Sequence, residues 1–301
     1  METLYLMSTK DDVYSVKIIT RKHWVLVGTH DGFILVYEYE TGMKLITRFK
    51  AVSNIFHGYS DGVLVVHPTL PYVLSAYGRE MKLWDWDKGW ECIQTFELGR
   101  YGSIRQVAFS PNGTDNFATA SSDRKIKLWS HSSPTAEYTL CHHKRDVSCL
   151  DFFRGDDSNQ YLISGSGDYT AKIWDLQKKT CLHTLDVMSP VTSIISLPNS
   201  PYLIIGSEDG TVHLWRSPSF RIERILQIGC TRPVRSLCLV GSKRVLIEKM
   251  GEVSIMDIDT SIKVKQPIQL GGKYPKRSCH VCINPKWPQE LRFSKFLKNS
   301  N

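Results

Sequence analysis

The chain lacks any long hydrophobic run. No stretch approaches the roughly 18 consecutive apolar residues that span a bilayer as a helix, so no helical membrane anchor is expected. The first ten residues, METLYLMSTK, lack a basic stretch followed by an apolar one, which argues against a secretory leader. The eight cysteines are scattered without the spacing of a disulfide framework, and reduced intracellular thiols are the expectation. No glycine-rich loop follows a strand and opens a helix, so no phosphate-cradling nucleotide site is expected. At 42% hydrophobic and 23% charged, the composition excludes wholesale disorder, collagen and a coiled coil.

Net charge is missing from most of the chain. Residues 261–301 hold nine lysines and arginines against Glu290, which accounts for the whole formal charge of +8 and leaves residues 1–260 neutral. The body is therefore not a basic nucleic-acid-binding domain, and nucleic acid is not the expected partner. A two-part organisation follows: a folded body over 1–261 and a basic C-terminal tail over 262–301. The tail alone leaves open a role in binding RNA or a lipid surface. Cys279 and Cys282 in the tail are spaced like half of a zinc site, but no second pair lies at suitable spacing, so no metal and no cofactor is expected.

What the sequence does have is repetition. Six segments end alike: LVYE (35–38), KLWD (82–85), KLWS (127–130), KIWD (172–175), HLWR (213–216) and SIMD (254–257). The aromatic column, Tyr37, Trp84, Trp129, Trp174, Trp215 and Met256, recurs at spacings of 47, 45, 45, 41 and 41 residues. Helical repeats of similar period would need helical apolar periodicity, which the intervening text lacks. That text reads as short strands instead. VTSIISL (191–197), YLIIGS (202–207), TVHLW (211–215) and RIERILQ (221–227) are separated by turn signals such as Asp209-Gly210. Four short antiparallel strands per unit is the make-up of a propeller blade.

On these residues the chain resembles the WD-repeat family, whose period of about 40–45 residues ends in a tryptophan–aspartate signature. The resemblance implies an all-β propeller of six units, either six-bladed or an incomplete seven-bladed ring. LYLM (4–7) or IKVKQPIQL (262–270) would supply its last outer strand. It also implies a buried hydrogen-bond set of His, Ser or Thr, Asp and Trp in each unit, with the aspartate six residues before the aromatic. Asp31, Asp123, Asp168 and Asp209 fall there, and Trp174 and Trp215 are indole members of the set. One of His142 and His143 completes unit four, and His142 is assigned there with Ser166. A Ser–His–Asp trio is also a hydrolase arrangement, but its repetition from unit to unit points to a structural role and no enzyme activity is expected. Unit two carries Gly78 and unit six Met250 at the aspartate position, which predicts weaker bracing of those two blades.

Within the family, RKHWVLVGTHDGFILVYEYETG (21–42), MKLWDWDKGWECIQTFE (81–97), FATASSDRKIKLW (117–129) and YLISGSGDYTAKIWDLQKKTCLHTL (161–185) are similar to the amino-terminal propeller of coatomer beta-prime subunits. That similarity implies a non-catalytic module of the COPI vesicle coat, cytoplasmic and peripheral on Golgi and vesicle membranes. Its implied partners are other coatomer subunits and the cytosolic dilysine tails of membrane cargo. The cargo clamp of that family does not carry over. The first family blade has no counterpart, Tyr14 stands where a clamp arginine falls, and Tyr59 and Gly78 stand near the acidic positions. The alternative is a WD-repeat adaptor outside the coat, such as a ubiquitin-ligase substrate receptor. The partner surface expected on the propeller's top face comprises Tyr14, Tyr59, Arg105, Arg124, Arg145 and Arg235, a mostly basic rim suited to an acidic peptide or a free carboxylate.

Overall fold

Each of the first five sequence units folds as one four-stranded antiparallel meander, because each offers four short runs joined by tight turns, the second of them buried along nearly its whole length between neighbouring blades. The computed structural model describes residues 13–258 apart from 54–61, 79, 100–101, 112–115, 156, 158, 198–199, 241–243 and 251, together with two short pairs at 263–264 and 268–269. Blade 1 holds β1 (Val13–Ile19), β2 (Trp24–Thr29), β3 (Phe33–Glu38) and β4 (Lys44–Lys50). Blade 2 holds β5 (Gly62–Val66), β6 (Tyr72–Tyr77), β7 (Glu80–Asp85) and β8 (Glu91–Phe96). Blade 3 holds β9 (Ile104–Phe109), β10 (Asn116–Ser121), β11 (Ile126–Ser130) and β12 (Tyr138–Leu140). Blade 4 holds β13 (Val147–Arg154), β14 (Gln160–Ser166), β15 (Thr170–Asp175) and β16 (Thr180–Asp186). Blade 5 holds β17 (Val191–Ser196), β18 (Tyr202–Ser207), β19 (Thr211–Arg216) and β20 (Arg221–Gln227). Blade 6 holds β21 (Val234–Val240), β22 (Arg244–Lys249) and β23 (Glu252–Asp257), with β24 (Lys263–Val264) and β25 (Ile268–Gln269) both pairing along β23.

The protein is thus an all-β, six-bladed propeller, with no helix among the described residues. The first strands of successive blades pack side by side, and five hydrophobic clusters each join one blade to the next. Among the described residues no such cluster joins blade 6 back to blade 1. The outer edge of blade 6 is formed by the two short pairs of β24 and β25 against β23. The alternative outer strand at 4–7 lies outside the described residues.

The expected weakness of blades 2 and 6 is met in an unforeseen way. In blades 1, 3, 4 and 5 the turn between the second and third strands carries the aspartate. In blade 2, Tyr77 pairs directly with Glu80, and in blade 6 Lys249 pairs with Glu252, so each turn is one residue shorter. A glutamate at the start of the third strand then takes over. Glu80 accepts the Ser53 N–H at 3.0 Å and an ion pair from Lys82 at 2.7 Å, while Glu252 accepts the Cys230 N–H at 3.3 Å. Each carboxylate fixes the loop that leads into its own blade, as Asp168 does in blade 4 by accepting the Lys144 N–H at 2.8 Å.

Candidate functional site

In an antiparallel meander the start of strand one, the turn between strands two and three, and the end of strand four share one end of the sheet. Backbone hydrogen bonds tie these segments together: Ser122 N–H to Ser103 O at 3.0 Å in blade 3, Gly167 N–H to Asp146 O at 3.1 Å in blade 4, and Glu208 N–H to Pro190 O at 2.9 Å in blade 5. This end, the top face, carries most of the residues singled out from the sequence.

Blade 4 shows the bracing network in full. His143 Nδ1–H donates to Asp168 Oδ2 at 2.9 Å, leaving Nε2 to accept the Ser164 hydroxyl at 2.8 Å. The same Ser164 oxygen accepts the Trp174 indole N–H at 2.8 Å. Asp168 also takes Thr170 N–H at 3.1 Å and its hydroxyl at 2.6 Å. Burial alone would raise the Asp168 carboxyl, but hydrogen bonds from His143, Thr170 and the Lys144 N–H more than offset it and hold the group well below the usual carboxylate range. Two assignments are corrected. The histidine is His143, which is buried, whereas His142 is exposed with its ring edge-on to Trp174. The hydroxyl is that of Ser164, because Ser166 lies at the strand end, where it donates to Arg145 O and accepts Asp168 N–H. Ser164 is fully buried and capped by the indole, so this trio offers no nucleophile to a substrate and works as a brace.

The other blades keep parts of this network. Trp84 donates to Ser75 at 2.9 Å and Trp129 to Thr119 at 3.0 Å. Asp209 accepts from Ser207 Oγ at 2.7 Å and Thr211 N–H at 3.0 Å, and these bonds lower its carboxyl against the upward push of burial. Asp31 accepts the Thr29 hydroxyl and pairs with Arg48 at 3.2 Å, while Asp123 accepts Lys125 N–H at 3.1 Å. Trp215 is the exception. Ile205 stands where the other blades place Ser75, Thr119 or Ser164, and the buried Trp215 N–H has no partner.

The expected partner surface divides. Arg105, Arg124 and Arg145 are exposed on the top face, and Arg235 is half-buried there. Arg124 and Lys125 border a cavity of about 440 Å³ with Leu98, Gly99, Ser122, Asp123 and Lys127. Tyr59, Cys279 and Cys282 lie outside the described residues. Tyr14 is a correction: it is only 2% exposed and belongs to the core. Its ring lies across two glycines, and a Cβ added at Gly28 or Gly62 would come within 2.5 or 2.3 Å of ring atoms. It packs 5.3 Å from Tyr77 and 5.8 Å from His30, and its hydroxyl is buried without a partner, with burial raising its ionisation well above the ordinary range. Sequence reasoning missed two exposed apolar residues on this face, Tyr169 and Met188, whose left-handed backbones leave no clear mark in a sequence pattern. Among the described residues no group of histidine, cysteine, aspartate and glutamate side chains is placed to hold a metal.

Comparison with known proteins agrees with this architecture. The family described as WD domain, G-beta repeat, matches residues 90–130, 134–175 and 179–216. Each match begins in or just before the outer strand of one blade and ends at the third strand of the next, so the sequence repeat and the blade are offset by one strand. Coatomer subunit beta'-2 of Arabidopsis thaliana is 50% identical over 103 residues, covering 34% of this chain and 11% of that protein. Coatomer subunit beta' of Rattus norvegicus is 37% identical over 191 residues, covering 60% of this chain and 21% of the relative. The Drosophila melanogaster subunit is 39% identical over 148 residues, 49% of this chain and 16% of its own length. The matched region thus spans between about a tenth and a fifth of these curated relatives. The chain carries WD40 repeats and is homologous over part of its length to coatomer beta' subunits.

Proposed function

We propose that this WD40-repeat propeller is a non-catalytic interaction module of a coatomer-type vesicle coat, contacting other coat subunits and associating with membranes peripherally through them. The observation that carries the reading is the 37% identity to a coatomer beta' subunit across 60% of the chain. Retrieval of dilysine cargo tails is not part of the proposal. Such a tail needs cations for its C-terminal carboxylate and carboxylates for its lysines. Tyr14 is buried, uncharged and walled in by Gly28 and Gly62, and Gly78 offers no side chain. Affinity purification of the tagged protein from its native cells, with partners identified by mass spectrometry, tests the reading. Co-recovery of other coatomer subunits is expected. Their absence beside recovered ubiquitin-ligase components would replace the coat role with an adaptor role. Calorimetry with a dilysine peptide is expected to show no binding in the micromolar range, and micromolar affinity would overturn the exclusion of cargo.

A further inference from the structure

The repeat's signature column has one member with no blade before it among the described residues. Trp84, Trp129, Trp174, Trp215 and Met256 are each buried against the preceding blade. Tyr37, first in the column, is only half-buried, as are Ile18 and Val25, which share its face of blade 1. The opposite face, with Leu26, Ile34 and Val36, packs on blade 2. Blade 6 shows the counterpart. Its face toward blade 5 carries Val245, Ile247 and Met256, while Leu246, Val253 and Ile255 lie on the other face. Those three are buried, yet none belongs to a hydrophobic cluster among the described residues. Nor are β21 and β1 packed side by side as the other first strands are. Two apolar faces thus border a seam that the six blades do not fill themselves.

The sequence beyond β25 is suited to fill it. In blades 2 and 5 two prolines three apart mark the loop between the first and second strands, Pro68 with Pro71 and Pro198 with Pro201. The same spacing recurs at Pro285 and Pro288, between the runs SCHVCI (278–283) and ELRFSKF (290–296). The crossing from β25 to the first run, 270–277, falls between the shortest and longest crossings of the other blades, 187–190 and 51–61. We propose that residues 278–296 fold as a β-hairpin in the seam and cover the open face of blade 1. Aligning Pro285 with Pro68 sets Leu291 and Phe293 at the positions of Leu74 and Ala76, which pack on the blade that follows. Here the blade that follows is blade 1, with Ile18, Val25 and Tyr37. Arg292 takes the position of Ser75, on the side of the preceding blade, where Glu248 is buried beside Leu246 and Val253. A guanidinium on that side suits the buried carboxylate. Lys273, Lys276, Arg277 and Lys286 fall in the crossing and the turn, where solvent receives their charge. Strand alternation sends Cys279 and Cys282 to opposite faces, so they do not make half of a metal site. The inference does not rest on the coat reading, and either can fail without the other.

The test is hydrogen exchange read by mass spectrometry on the whole chain, alongside the isolated peptide 270–301. Amides in the runs 279–283 and 290–295 are expected to exchange about a hundredfold more slowly in the protein than in the peptide. Leu291→Asp combined with Phe293→Asp is expected to remove that protection and to speed exchange about tenfold in β2 and β3, while blades 3 and 4 stay unchanged. Exchange of 278–296 at the free peptide's rate would overturn the proposal and leave the blade 1 face to a partner protein. A double variant that leaves β2 and β3 untouched would overturn it too, since the hairpin would then lie elsewhere. Protection that vanishes on dilution to the monomer, followed by light scattering, would assign the hairpin to a second copy of the chain and overturn closure within one.

Discussion

Replacing Trp174 and Trp215 by phenylalanine, one at a time, separates a paired indole from an orphaned one in otherwise equivalent positions. Both side chains are buried, at 1% and 6% exposure, so both lose a similar amount of ring contact. The polar part differs. Trp174→Phe removes the donor at 2.8 Å from Ser164 Oγ and breaks the chain of bonds that runs on through His143 to Asp168. A buried hydrogen bond of this kind contributes about 0.5–1.5 kcal/mol net. Trp215→Phe removes an N–H that has no acceptor, and relieving such a group recovers about 1–3 kcal/mol. The two variants should therefore differ by roughly 1.5–4.5 kcal/mol, with Trp174→Phe the less stable. At about 2–4 °C per kcal/mol for a protein of this size, the midpoints should stand at least about 3 °C apart. Thermal unfolding by circular dichroism, repeated in urea, reads the difference. A second pair of variants isolates the hydrogen bond from the ring. Ile205→Thr and Ile205→Val remove similar volume, but only threonine offers the Trp215 indole an oxygen, as Thr119 does for Trp129 at 3.0 Å. A buried Thr is ordinarily worse than Val; here it should be at least as stable. Equal midpoints for the two phenylalanine variants, together with Thr below Val at 205, would refute the assignment of the indole partners.

Tyr14→Phe deletes a buried hydroxyl that has no partner and keeps the ring that fills the space over Gly28 and Gly62, so stability should be unchanged or higher in urea unfolding. Gly62→Ala should cost about 1–3 kcal/mol in the same assay, since its methyl group meets the Tyr14 ring. Two carboxyls should give opposite slopes of stability against pH. Asp168 titrates below its unfolded value, so its contribution is complete above about pH 4 and is lost as pH falls through its folded pKa; Asp168→Asn should flatten the acid limb of the midpoint curve. Asp151 is pushed up to about 6 by burial, only partly opposed by hydrogen bonds from Ser196 and Phe152 N–H, so its ionisation lowers stability as pH rises from about 4 to about 6; Asp151→Asn should remove that decline.

The repeat made the architecture legible. An aromatic column at near-constant spacing, with Asp31, Asp123, Asp168 and Asp209 six residues ahead of it, fixes where the third strand of a blade and the turn before it fall. Three features were not legible, for physical reasons. His142 and His143 are adjacent, and only the path of the loop decides which ring faces inward. Ser164 and Ser166 share a face of β14, so their spacing satisfies the same pattern; the reach of the Trp174 indole selects the residue further from the strand end. Tyr14 was misplaced because a strand start on the top face reads as surface. The glycines at 28 and 62 that make room for its ring lie 14 and 48 residues away and carry no signal of their own.

Blades 2 and 6 show why loss of a signature residue is a poor measure of lost function. In blade 4 the aspartate has two jobs: it shapes the turn between the second and third strands, and it anchors the loop that leads into the blade. A turn shortened by one residue closes as a direct pairing of Tyr77 with Glu80, or of Lys249 with Glu252, and needs no side chain to shape it. Shortening also moves the first residue of the third strand up to the incoming loop. A glutamate there, one methylene longer than aspartate, reaches the backbone N–H of Ser53 or Cys230. In blade 6 the exchange brings a cation with it. Lys249 is buried, and its ammonium donates to the carbonyls of Gly210, Ile228 and Cys230, which stitches the turn of blade 5 to the loop entering blade 6. Burial lowers the Lys249 ammonium, while nearby negative groups including Glu252 oppose that shift. Deletion and replacement are therefore coupled at both sites: the carboxylate becomes useful at the third-strand position only where the turn is short.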